Sequence, residues 1–282
     1  MYKILINKLF IKKYNYTLVK KVKSPLQYKF FELTFICVWL TQMQKGGKEM
    51  THFWMVGTDT DVGKTFCTVL MMRTLQLQKQ RKVTVFKPVQ TGQIYVNGEA
   101  SYYDTSMYKR FSLIPLELHD LNSYSFKTPA SPHLAARLEN AHIDCQKLQH
   151  TLQELTTRYE QIICEGAGGL FVPLNEQLDC LIDVIQASSW PVVLVTKTGL
   201  GTINHTMLSF EALISRGIQV KGIMFNSYTD CEMENDNIAT ILRMTAIHTK
   251  ELPYAIVPKV AGEEAIPTIS LAESSLIKEM TR

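Results

Sequence analysis

From residue 52 onward the chain alternates short apolar runs with longer segments of mixed polarity. The runs are His52–Gly57, Val83–Phe86, Gln161–Glu165, Val192–Thr196, Val220–Asn226 and Tyr254–Val257. Most are continuously apolar, the pattern of strands buried on both faces of a mainly parallel sheet. The segments between them carry helical signals. Phe66–Gln80 has a helical character, and Asp144 can cap a helix whose Leu148, Leu152, Leu155 and Tyr159 share one face. Asn204–Arg216 ends at Gly217, a suitable C-cap, and Asn235–His248 and Ser270–Met280 are further helices. Alternating strands and helices predict a single doubly wound α/β domain over residues 50–282, with no repeat or linker dividing it. Ligands on such a sheet bind at the carboxyl ends of its strands, so polar motifs there are the candidates for chemistry.

The first such motif is Gly57-Thr58-Asp59-Thr60-Asp61-Val62-Gly63-Lys64-Thr65. An apolar strand, a glycine loop ending in Gly-Lys-Thr and a helix make a phosphate-binding loop. Backbone N–H groups and the helix N-terminus favour phosphate oxygens there. Lys64 reaches the outer phosphates as a point charge, and the Thr65 hydroxyl suits Mg²⁺. The usual spacing asks for glycine at position 58, where this chain has Thr58; its glycine is Gly57, one residue earlier. The loop predicts ATP or GTP binding on a P-loop NTPase type of sheet.

Further motifs follow the other strands. The second runs into Lys87-Pro88-Val89-Gln90-Thr91-Gly92, where Lys87 at a strand tip is either a solvated lysine or a cation for charge developing in a transition state. Thr91 is either a turn residue or a hydroxyl offered to substrate. Asp104, after the loop Gln93–Tyr103, is either an N-cap or a metal ligand. Glu165-Gly166-Ala167-Gly168-Gly169 puts a carboxylate at a buried strand end beside small residues, which suits Mg²⁺. Thr65, Asp104 and Glu165 together supply three hard oxygen ligands. Gly199-Leu200-Gly201-Thr202-Ile203-Asn204-His205 is either a tight strand–helix turn or an anion site. Asn226 can pair with the edge of a base, and Pro258-Lys259-Val260 can lie along its plane.

Composition narrows the class. No apolar run reaches the roughly 20 residues needed to span a membrane. The six cysteines, at 37, 67, 145, 164, 180 and 231, form no Cys-x-x-Cys pair, as expected of free thiols in a cytoplasmic protein. The seven histidines show no zinc-ligand spacing. Residues 1–49 hold ten of the 30 Lys+Arg and two of the 26 Asp+Glu, so the rest of the chain carries a net charge of −4. That mildly acidic body gives no support for nucleic-acid binding. The segment 1–49 lacks caps and regular periodicity. Lys45-Gly46-Gly47-Lys48-Glu49-Met50 can be written in codons as AAA-GGA-GGA-AAA-GAA-ATG, which holds a GGAGG at ribosome-binding distance from Met50. The expectation is that translation starts at Met50 and that 1–49 is an extension that does not dock on the fold.

Five motifs in order, at 57–65, 87–92, Ser-Pro-His 131–133, 165–169 and 199–205, closely resemble those of the dethiobiotin synthetases. The resemblance covers residues 50–282 and none of 1–49. It implies an ATP-dependent ligase that joins CO₂ to 7,8-diaminopelargonate, giving dethiobiotin, ADP and phosphate through a carbamate. It implies Lys64 and Lys87 as catalytic residues and Mg²⁺ on Thr65, Asp104 and Glu165. Nucleotide contacts carry over to Asp61, Val62, Gly63, Lys64, Thr65, Phe66, Asp104, Glu165, Gly166, Ala167, Gly168, Asn226, Ser227, Pro258, Lys259 and Val260, with Glu263 or Glu264 as the distal one. Substrate contacts carry over to Thr91 and to Gly201, Thr202, Ile203 and Asn204. In the family the segment matching Gly201–Asn204 comes from the partner subunit, which implies a homodimer with shared sites.

Three other classes compete, one of them the amidotransferase-linked cobyrinate synthases, which usually carry a fused glutaminase domain with a catalytic cysteine, for which 282 residues are too few. Partition and septum-positioning ATPases share the fold, but they typically carry an extra lysine early in the loop, where this chain has Thr58, Asp59 and Thr60. A degenerate regulatory domain would not need Lys64, Thr65, Lys87, Asp104 and Glu165 together.

Overall fold

The computed structural model describes residues 52–79 and 82–280; the expectations for residues 1–49 lie outside them. Seven parallel strands form one sheet. They are β1 (His52–Gly57), β2 (Val83–Thr91), β5 (Asn122–Phe126), β6 (Gln161–Glu165), β7 (Val192–Lys197), β8 (Val220–Tyr228) and β9 (Tyr254–Pro258), in the order β5-β2-β6-β1-β7-β8-β9. A separate antiparallel hairpin, β3 (Gln93–Val96) and β4 (Glu99–Tyr102), follows β2. The strand order turns about β1, which has β6 on one side and β7 on the other. The crevice at its carboxyl end is where such sheets take ligands.

Both faces of the sheet are covered, which explains the continuous apolar runs. Strand side chains alternate between two cores. Trp54, Val56, Phe86, Ile162, Leu194 and Phe225 face one. Helices α3 (Pro132–Leu138), α4 (Cys145–Arg158), α5 (Leu181–Ser188), α6 (Thr202–Ser215) and α7 (Glu232–Ala246) pack on it. Phe53, Met55, Val85, Ile163, Val193 and Met224 face the other, with α1 (Lys64–Lys79), α2 (Tyr103–Phe111) and α8 (Ser275–Met280). Asp144 caps α4 by accepting from Gln146 N and Lys147 N, and Leu148, Leu152 and Leu155 are buried, as their spacing predicts. No helix among the described residues is long and apolar enough to cross a membrane.

The structure corrects the sequence-based expectations in several places. Strand β2 continues through Lys87 to Thr91, because Lys87 to Thr91 pair with the edge strand β5. Lys87 is therefore inside a strand and not at its tip. The segment 93–103 is a hairpin leading into α2, not a loop. Helix α2 starts after Tyr102, so Asp104 lies in its first turn and does not cap it. Helix α8 is shorter than expected, since residues 270–274 precede it without helical structure.

Candidate active site

Gly57 ends β1 where the loop turns back over it: a Cβ there would stand 2.7 Å from Val62 Cγ2 and 2.8 Å from Asp59 O. Glycine is thus required at 57, and Thr58 is free to carry a side chain whose hydroxyl donates to Thr196 Oγ1 at 3.3 Å. The unusual spacing has a packing reason. Gly63 closes the loop with φ +87°, and a Cβ on it would meet Asn226 Nδ2 at 2.0 Å. Asn226 in turn donates to Val62 O at 2.9 Å, so β8 clamps the end of the phosphate loop. Asp61 is exposed with φ +55°, and Val62 is buried beneath the loop. The glycine segment after β6 lies alongside: a Cβ on Gly168 would stand 3.6 Å from Thr60 Oγ1, and one on Gly169 3.9 Å from Asp59 Cα. Gly166 N donates to Met55 O at 3.0 Å, and Ala167 is half-buried.

Beside this loop four predicted side chains from four elements meet. Thr65 Oγ1 on α1 lies 2.6 Å from Asp104 Oδ1 on α2 and 2.8 Å from Glu165 Oε1 at the end of β6. Lys87 Nζ on β2 lies 2.8 Å from Asp104 Oδ2 and 2.7 Å from Glu165 Oε1, and donates to Gly166 O at 3.2 Å. Lys87 is 4 % exposed, so it is no solvated lysine. Burial alone would lower its pKa, yet the two carboxylates raise it above the ordinary lysine value. For Asp104 burial works upward and Lys87 works downward, with a net lowering. Lys64 is different. Its Nζ donates to Asp59 O at 2.8 Å, and burial, followed by the charge of Lys87, pushes its pKa down to about 8. A poorly compensated lysine inside a phosphate loop is a cation waiting for an anion.

The predicted base-binding residues line one cavity of about 300 Å³, formed by Phe66, Asn226, Ser227, Pro258, Lys259 and Val260 together with Gly262 and Glu263. Of the two glutamates, Glu263 is the one that lines this cavity, and it also pairs with Arg110 at 3.2 Å. Its carboxylate accepts from Tyr103 Oη at 2.6 Å, whereas Glu264 is 85 % exposed and pairs with Arg110 outside. Thr91 is half-buried at the end of β2. Gly201, with φ +89°, precedes α6. Thr202 is buried there and donates to Lys197 O at 2.5 Å, while Ile203 is half-buried and Asn204 exposed. Sequence reasoning missed Tyr108, whose hydroxyl donates to Glu165 Oε2 at 2.6 Å, and Tyr103. The i, i+4 spacing of Asp104 and Tyr108 was the available signal for the first.

No group of three or more His, Cys, Asp or Glu able to hold a metal occurs among the described residues. The cluster offers two carboxylates and a hydroxyl instead. The Thr65 hydroxyl has one proton but faces carboxylate oxygens at 2.6 and 2.8 Å, so it satisfies only one of them by donation. These converging hard oxygens fit Mg²⁺, which binds through one or two carboxylates plus phosphates and water.

A family model described as an AAA domain matches residues 51–261. ATP-dependent dethiobiotin synthetase BioD of Lysinibacillus sphaericus is 50 % identical over 234 residues, spanning 83 % of this chain and 97 % of its own. The enzyme of the same name from Fusobacterium nucleatum subsp. nucleatum is 36 % identical over 195 residues, spanning 69 % of this chain and 87 % of its own. Among solved structures, a ParA family ATPase from Chlorobium tepidum TLS aligns over 82 % of this chain and 96 % of its own, with a TM-score of 0.50 and 13 % identity, a likeness of fold alone. The chain belongs to the ATP-dependent dethiobiotin synthetases, a family of ligases.

Proposed function

We propose that this protein joins CO₂ to 7,8-diaminopelargonate to close the cyclic urea of dethiobiotin, the penultimate step of biotin biosynthesis, with ATP converted to ADP and phosphate. One substrate amine adds to CO₂, forming an N–C bond and losing a proton. A carbamate oxygen then attacks the γ-phosphorus, the bond to ADP breaks, and a carbamic–phosphoric anhydride results. The second amine attacks the carbonyl carbon and loses a proton, and phosphate leaves as the ring closes. Carbamate is a poor electrophile until phosphate becomes its leaving group, which is why ATP is needed.

The observation that carries this reading is the meeting of Lys87 with Asp104, Glu165 and Thr65 beside a phosphate loop. Lys87 is held where charge moves between carbamate and phosphate, and preorganised cations in a dry site stabilise that charge strongly. Lys64 takes the outer phosphates. Thr65, Asp104 and Glu165 would hold Mg²⁺, which supplies charge neutralisation and orientation of the phosphates. The cavity lined by Asn226, Ser227 and Pro258–Val260 takes the adenine, with Glu263 at its rim. Thr91 contacts the diamine, and free N–H groups of Gly201–Asn204 take its tail carboxylate. Leu200 and Leu208, 93 % and 59 % exposed beside that segment, support a face covered by a second subunit in a homodimer. The free thiols of Cys67, Cys145, Cys164, Cys180 and Cys231 support a cytoplasmic setting.

Lys87→Gln tests the assignment. Turnover should fall by about 10²–10³, as for loss of one preorganised transition-state donor. ATP affinity should stay nearly unchanged. Equal losses in both would reject a transition-state role for Lys87.

A further inference from the structure

We propose that Tyr108 is a positioning residue for Glu165: its hydroxyl holds one carboxylate oxygen so that the other faces Thr65, Lys87 and the metal ion. This rests on the assignment of Glu165 as a Mg²⁺ ligand. Tyr108 follows Asp104 by four residues on α2, so both side chains leave the same face of that helix. One helix thus delivers a carboxylate and a hydroxyl to the same point. The Tyr108 ring is fully buried, and its Oη lies 2.6 Å from Glu165 Oε2. Glu165 Oε1 takes the two functional contacts, Thr65 at 2.8 Å and Lys87 at 2.7 Å.

A carboxylate has two equivalent oxygens on a soft, two-fold terminal torsion. Contacts at one oxygen do not fix that torsion, and a donor at the second does. The distance is that of a strong O–H···O⁻ bond. A phenol keeps its proton at neutral pH, so the hydroxyl is the donor and the carboxylate the acceptor in this bond. Neither the phosphate loop nor the ligand set requires a tyrosine here. Loss of a hydrogen-bond partner behind a metal-ligating group typically costs about 10–100-fold in metal affinity or activity.

Among the described residues a second buried tyrosine–carboxylate bond occurs away from the site. Tyr159 Oη donates to the buried Asp120 Oδ2 at 2.7 Å, and the other partners of Asp120 are Arg158 and His119, none of them a site residue. Tyr159→Phe is therefore a matched control for the loss of a buried hydroxyl on a carboxylate.

The test is calorimetric titration of the full chain with ADP, with and without Mg²⁺, in the absence of diamine. Tyr108→Phe should reduce the Mg²⁺-dependent gain in ADP affinity about tenfold or more. Mg²⁺-free affinity should stay within about twofold, the range of a site not coupled to the change. Tyr159→Phe should leave both values unchanged. A folded Tyr108→Phe protein that keeps the wild-type gain overturns the inference, as does one whose Mg²⁺-free affinity falls equally. A matching loss in Tyr159→Phe also overturns it. A second arm does not depend on Tyr108→Phe folding alone. In a Glu165→Gln background, removing the hydroxyl should change the remaining gain by less than about twofold, because the group it positions is gone. A further tenfold loss there overturns the inference. If Mg²⁺ gives no gain in the wild type, the assignment of Glu165 as a metal ligand fails and the role of Tyr108 falls with it.

Discussion

Lys87→Met removes one charge and keeps most of the buried stem. In the wild type the ammonium lies 2.7 Å from Glu165, which is fully buried, and 2.8 Å from Asp104, which is 21 % exposed. Removing one partner from a buried ion pair costs about 3–5 kcal/mol, because the opposite charge is left uncompensated. Two carboxylates are left here, so the upper part of that range applies near neutral pH. For a protein of this size each kcal/mol moves Tm by about 2–4 °C, which gives a fall on the order of 10 °C or more. The pH dependence is the sharper signature. In the wild type burial pushes the Asp104 pKa up, and Lys87, Thr65 and Lys64 together bring it below the ordinary carboxylate value. The stability this gives is present above the ordinary carboxylate pKa and is lost as pH falls through the lowered value. Without Lys87, burial dominates and the pKa rises. The folded variant then takes up a proton that the unfolded chain does not, so its deficit shrinks from about pH 7 toward about pH 5. Urea denaturation of both proteins across that range measures the effect. A deficit under about 1 kcal/mol, the value of an exposed pair, would refute the buried triad. A deficit that grows on acidification would do the same.

Nucleotide affinity should carry the signature of Lys64. Its pKa is lowered to about 8 by burial and then by Lys87, and bound phosphates would raise it. Binding then takes up a proton at alkaline pH: affinity stays level below pH 8 and falls by up to about tenfold per pH unit above it. A flat calorimetric profile across that range would contradict a phosphate-facing Lys64. Gly63→Ala combines φ +87° with a contact at 2.0 Å to the Asn226 amide. The strain of about 1–3 kcal/mol, plus displacement of Asn226, should weaken nucleotide binding about tenfold or more. An unchanged dissociation constant would show that the loop closes without that glycine.

The central strands were legible because each is buried on both faces and reads as an unbroken apolar run; β1 and β6 match their expected bounds. Edge strand β5, Asn-Ser-Tyr-Ser-Phe, has only β2 as a neighbour and is largely half-buried, so it carries no such run. Missing it also misplaced Lys87, since β5 is what carries β2 on to Thr91. The hairpin over 93–102 has a local signal, Asn97-Gly98 directly after the apolar run Ile94–Val96. At the site, Thr65, Lys87, Asp104 and Glu165 were legible as chemistry, and their convergence required the topology. Tyr108 has only its i, i+4 spacing from Asp104 as a signal; its bond to Glu165 and the Tyr103–Glu263 bond are not legible, because they join residues 57 and 160 apart in sequence. The fate of the Thr58 position was likewise a matter of packing: only the folded loop shows why glycine stands at 57.

The most direct measurement is ADP and phosphate release by the purified protein with ATP, Mg²⁺, bicarbonate and 7,8-diaminopelargonate. Release should require both the diamine and bicarbonate, with one ADP formed per dethiobiotin. Release that proceeds at the same rate without the diamine would contradict the proposed reaction and leave an ATPase of another kind on this fold.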